Sequence, residues 1–153
     1  MKRVEVKLNL EAVAPLLDVV KAASDELGPR LAIDLPPPGP DGEFHMEWAR
    51  ELLSGQGDDI RVLLALFGSE FFSTGVIALD PTNCEPVLRA CSALRLRLRE
   101  AHLKPLGDEN LETGELPLED MPDEQRKAFA AYVFLATLQE LLVLHLDPTI
   151  MEG

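Results

Sequence analysis

The chain has 153 residues, 46% of them hydrophobic and 27% charged, proportions that exclude a disordered or fibrous protein and suit one domain burying roughly 70% of the surface its unfolded chain exposes. A formal net charge of −13 opposes the phosphates of nucleic acids and the surface of anionic membranes, so neither is an expected partner. With two cysteines and an opening Met-Lys-Arg-Val-Glu-Val-Lys that alternates charge with apolar side chains instead of forming a leader core, the expected compartment is the reducing cytoplasm.

Val4, Val6 and Leu8 alternate with Arg3, Glu5 and Lys7, the period of two of a half-buried strand. Asn9 is placed to cap a helix whose apolar residues Leu16, Val19, Val20, Ala23 and Leu27 recur at helical spacing until Gly28-Pro29, with Pro15 expected near its start. Leu31 to Leu35 reads as a second short strand, followed by a proline-rich loop over residues 36–42 that is expected to be flexible. Phe44, Trp48 and Leu52, four apart, predict a short amphipathic helix ending at Ser54-Gly55-Gln56-Gly57. A new helix, capped by Asp58 or Asp59, then carries Ile60, Leu63, Leu64, Phe67 and Phe71. Gly68 and Gly75 weaken it and leave Val76 to Leu79 free to form a strand.

Thr82 with Glu85 has the pattern of a capping box, and Val87, Cys91, Leu94, Leu98 and Ala101 extend a helix over about residues 83–102. Residues 105–125 hold eight acidic and no basic side chains among several prolines and glycines, so the stretch reads as an exposed acidic loop, flexible over 107–120. From Asp123 to Leu146 there is no glycine or proline, and the segment is apolar nearly all round, which predicts a helix packed on several sides by Phe129, Val133, Ala136, Leu138, Leu142 and Leu146. Ala128 to Leu146 approaches the length of a membrane span, but Thr137, Gln139, Glu140 and His145 within it favour a core helix, since one intramembrane carboxylate costs about 3 kcal/mol. The expected fold is mainly α: a single domain over residues 1–153, with about five helices and at most a small accessory β-sheet.

The runs Leu88-Arg89-Ala90 and Ala93-Leu94-Arg95-Leu96, the acidic loop, and then Tyr132, Leu135, Leu138-Gln139-Glu140 and Leu142-Val143 resemble a family of short helical bacterial proteins of unknown function. Some of its members are encoded beside the adaptor of the Clp protease. The resemblance covers roughly the last 65 residues. It implies a helical fold and supplies no catalytic residues. This chain lacks both the Asn-Asp that often precedes the Leu-Arg-Leu run in that family and the Gly-Thr-Arg-Leu-Gly that often follows it.

Little in the sequence points to catalysis. His45, His102 and His145 with Glu47 and Glu140 could in principle ligate a metal, yet His45 and Glu47 are two apart and Glu140 and His145 five apart, unlike ligands on one helical face. Cys84 near a helix N-terminus is a candidate reactive thiol without a histidine nearby in sequence. Phosphate-loop, dinucleotide, nucleophile-elbow and zinc-protease motifs are missing, so no cofactor and no catalytic pair is named.

Arg89, Arg95, Arg97 and Arg99 form a basic cluster in an acidic chain. They read either as solvated arginines neutralised by the acidic segment that follows or as a grip on an acidic partner. The expected function is a protein-binding or regulatory helical module, with self-association as a homodimer through an apolar face of the final helix or of Phe67, Phe71 and Phe72. An enzyme acting on a small metabolite and an acidic mimic of nucleic acid are the alternatives.

Overall fold

The computed structural model describes residues 2–40, 42–113 and 118–146. Strand β1 (Val4–Lys7) leads into helix α1 (Leu10–Glu26), α2 (Gly42–Ala65), the short α3 (Ser69–Thr74), strand β2 (Val76–Leu79) and α4 (Cys84–Leu98). A π-helical turn (Arg99–Leu103) and a 3-10 turn (Lys104–Leu106) precede the short α5 (Asp108–Thr113), a 3-10 turn (Leu118–Asp120) and α6 (Asp123–Leu146). The fold is mainly α with a small sheet, as the apolar periodicities require.

The sheet is a single antiparallel pair in which Val4 faces Leu79 and Val6 faces Ile77. Gly75 makes the turn into β2 possible: its φ of +74° is a left-handed conformation open to glycine, and it ends α3 by donating to the Phe71 carbonyl. α4 is the central helix, packed against α2 on one flank and α6 on the other, while α1 lies against α6 and α4. It buries Val87, Ala90, Cys91, Leu94 and Leu98, and α6 buries Ala128, Ala131, Tyr132, Leu135, Leu138 and Leu142 at spacings of three and four.

Several expectations from sequence are corrected. The predicted helix break at Ser54 to Gly57 does not occur, and α2 runs unbroken from Gly42 to Ala65. Two glycines cost about 1 kcal/mol each in a helix. The Gln56 side chain ties this turn to the preceding segment: its amide donates to the Leu27 and Arg30 carbonyls (3.2 and 3.0 Å) and its Oε1 accepts from the Ala32 amide (2.9 Å). Leu31 to Leu35 is not a strand, and the one of these bonds that falls within it gives the Ala32 amide to Gln56 instead of to a sheet neighbour.

Pro15 sits inside α1 instead of at its start, while Asn9 does cap that helix by accepting from the Ala12 amide at 3.1 Å. The Thr82–Glu85 capping box is replaced by an Asp80-centred turn, in which the Asp80 carboxylate accepts from the Thr82 and Asn83 amides at 2.8 and 3.0 Å. α4 ends at Leu98, and its continuation widens into the π-helical turn. The acidic stretch contains α5 and two 3-10 turns because Leu111 and Met121 supply apolar anchors that are buried in the fold; residues 114–117 lie outside the described ones.

α6 is not enclosed on several sides. Its packed face is the row just named, whereas Val133, Val143 and Leu144 are exposed, and the Leu146 side chain lies outside the described residues. By length and composition this helix is the one among the described residues long and apolar enough to cross a membrane, and 33% of its most apolar window is buried within the fold. Phe67 and Phe71 are core residues with rings edge to face at 5.2 Å, leaving Phe72 as the exposed member of that trio.

Candidate functional site

The four arginines do not form one patch. Side chains two apart on a helix diverge by roughly 200°, so the Arg95-Leu96-Arg97-Leu98-Arg99 alternation fans out around the axis. Arg89 reaches back to α2 and grips Asp59 with both ends of its fork, Nε to Oδ2 at 2.9 Å and Nη2 to Oδ1 at 3.0 Å. Asp59 is largely buried, and this hydrogen-bonded pairing, with Glu85 also nearby, raises the Arg89 pKa above its usual value. Arg97 turns to α1, where its Nε donates to Glu26 at 2.8 Å. Arg95 points to α6, stacks on Tyr132 and donates to Gln139 Oε1 at 2.7 Å. Arg99 lies in the π-helical turn. The partners of Arg89 and Arg97 are therefore carboxylates of α1, α2 and α4, and the expected neutralisation of these two by the acidic segment is not what the fold uses.

Arg89 lines a groove of about 420 Å³ between α2, α4 and the segment at residues 31–33. Its walls are mainly apolar: Leu31, Ile33, Leu52, Ala93 and Leu96, with Gly55 lying open at the base. The Gln56 bonds hold the 31–33 wall in place, and the Asp59–Arg89 pair is part of the lining.

Trp48 and Phe44 do not line the groove, but they share the helical row of Leu52, which does, because residues four apart lie on one row. These side chains are not core: from Gly42 to Leu53 α2 buries nothing, its first buried residue being Ile60. Phe44 is 72% exposed, Met46 62% and Trp48 38%, and Ile33 on the opposite lip is 55% exposed. The aromatic ring of Trp48 meets His45 edge to face at 5.9 Å. The Phe44–Trp48–Leu52 row is legible in the sequence, but the helix expected to end at Ser54-Gly55-Gln56-Gly57 runs on and brings Gln56 and Asp59 to the groove.

The other candidate chemistry is dispersed. Cys84 is buried with its thiol directed at the Pro81 carbonyl, and Cys91 is buried in the core. Among the described residues no three metal-ligating side chains converge. Of the charged residues lining the groove, Asp59 and Arg89 are already engaged in a bidentate ion pair, and Glu51 is exposed.

Fold and groove together define a small mainly α protein with an apolar groove. The chain belongs to the family DUF2017, described as a domain of unknown function, which matches residues 4–146 and thus far more than the C-terminal part that carried the resemblance. The chain matches no curated protein and no solved structure.

Proposed function

We propose that this protein is a protein-binding module of the bacterial cytosol that recognises an apolar segment of its partner along the exposed face of α2 and the adjoining groove. One observation carries the reading: the first three turns of α2 hold no fully buried side chain and present Phe44 and Trp48 to solvent on the helical row of Leu52, which lines an apolar groove. Aromatic and methionine side chains are the types enriched at the centres of protein interfaces, and a stable soluble chain seldom leaves them grouped in the open. A neighbourhood beside the Clp adaptor, implied by the resemblance, fits a role carried out through protein contacts. α6 in this reading is a core helix, and not an anchor.

Affinity capture from bacterial cytosol with the wild-type chain and with a Phe44→Ser/Trp48→Ser variant tests the reading. Both positions are exposed, so the variant is expected to melt like the wild type. A protein recovered by the wild type and lost with the variant supports the proposal. Identical sets of captured proteins overturn it.

A further inference from the structure

We infer that the partner segment is a basic amphipathic helix, an inference that rests on the docking reading above and names the chemistry of its occupant. Two rows run side by side along the exposed part of α2. One is apolar, Phe44, Trp48 and Leu52; the other is acidic, Glu43, Glu47 and Glu51, each row at i, i+4 and offset from the other by one residue. All three glutamates are exposed, and none is engaged in an ion pair or side-chain hydrogen bond among the described residues. The apolar row is therefore bordered on α2 by three carboxylates without an ion-pair partner among the described residues, the exposed Arg50 lying one row further round the helix, whereas Asp59 and Arg89 already satisfy each other.

The occupant follows from three properties of this surface. Two of its three walls are helix faces, whose backbone groups are paired within the helix, and the Ala32 amide of the third is already held by Gln56, so the surface favours a helical occupant over an extended one. An apolar row flanked by acids is matched by a helix with apolar residues at i, i+3, i+4 and i+7 and Lys or Arg along one side. A second copy of this chain would bring Glu43, Glu47 and Glu51 against equally acidic surface, with −13 facing −13, and so fits poorly.

Trp48 is the only tryptophan and stands in the apolar row, so its fluorescence reports on this face alone. The test titrates the full chain with a synthetic Leu/Lys peptide carrying the i, i+3, i+4, i+7 pattern, and with a Leu/Glu peptide of identical apolar pattern. A saturable blue shift with the Leu/Lys peptide, at least about tenfold tighter than with the Leu/Glu peptide and weakening with salt, is expected from opposite charges screened over a Debye length. The charge-reversed variant Glu43→Lys/Glu47→Lys/Glu51→Lys is expected to invert the preference.

A silent Trp48, equal binding of both peptides, or a charge-reversed variant with unchanged preference overturns the inference. The two readings fail separately. If the peptides fail while a captured protein still depends on Phe44 and Trp48, the basic-helix inference falls and the docking surface stands. If capture is insensitive to those residues, the docking surface itself falls.

Discussion

The guanidinium of Arg95 lies 4.6 Å from the centre of the Tyr132 ring and donates from Nη2 to the hydroxyl of the same tyrosine at 3.1 Å. Nη1 donates to Gln139 Oε1, and the Gln139 amide in turn donates to the Leu88 carbonyl (3.0 Å) and to Ser92 Oγ (2.7 Å), so one polar cluster fastens α6 to α4. Arg95 Nε is buried without an acceptor, which leaves this cation dependent on its two neutral partners. Gln139→Leu is therefore expected to cost about 1 to 3 kcal/mol, more than Tyr132→Phe, which keeps the ring under the guanidinium and removes one hydrogen bond worth about 1 kcal/mol. Urea denaturation of both variants checks the order, and a stable Gln139→Leu would refute the coupling.

Gly75 and Gly57 are expected to respond to alanine in opposite directions. At Gly75 a Cβ would meet the Leu8 carbonyl oxygen at 3.0 Å with φ at +74°, so Gly75→Ala should destabilise by about 1 to 2 kcal/mol. At Gly57, inside α2, the nearest neighbour is the flexible end of Arg61 at 3.8 Å, so Gly57→Ala should stabilise by about 0.5 to 1 kcal/mol. Thermal unfolding that moves both variants the same way would contradict these backbone assignments.

Leu142 is fully buried on the packed face of α6. Leu142→Asp would place an unpaired carboxylate there at a cost of several kcal/mol against a typical stability of about 5 to 15 kcal/mol. The expected outcome is a chain without a cooperative melting transition by circular dichroism. Val143→Asp, one residue on and 44% exposed, is expected to melt near the wild-type temperature.

Burial pushes the Cys91 thiol up to about 12, only partly opposed by the charge of Arg95, so the nucleophilic thiolate is suppressed throughout the neutral range. Cys84 is also buried. Ellman's reagent at pH 8 is expected to react with neither thiol in the native chain and with both in denaturant. Rapid modification of the folded protein would contradict the burial of the N-terminal turn of α4 and its core face.

Asp80 has its pKa held below the usual 3.8, first by the hydrogen bond from the Thr82 hydroxyl and then by the Asn83 amide. A depressed folded-state pKa contributes stability that is present above 3.8 and is lost as pH falls through the lower folded value. The stability difference between wild type and Asp80→Ala is thus expected to be constant at neutral pH and to narrow below pH 3.8. Acid titration of both chains by circular dichroism measures it; a difference that widens toward low pH would reverse the sign.

The residues from Val4 to Leu8 and Asn9 to Leu27 declared their elements because their apolar spacing matches a single period over the whole segment, whereas Val76 to Leu79 was read as a strand from the glycines before it. The same holds for α6, whose type and length were legible because nothing interrupts it. Around Ser54 to Gly57 the local signal pointed the wrong way: two glycines lower helix propensity, and only the long-range bonds of Gln56 to Leu27, Arg30 and Ala32 show why the helix continues. Likewise Arg89, Arg95 and Arg97 are neighbours in sequence, but their partners Asp59, Tyr132, Gln139 and Glu26 come from three other helices. Sequence by itself determined the helical class, the acidity and the near-continuous apolar character of α6, all of which are local or additive. Which apolar rows are covered was decided only by the tertiary structure, because burial depends on what packs opposite: α4 and α1 cover one face of α6, whereas Phe44 and Trp48 stay exposed among the described residues.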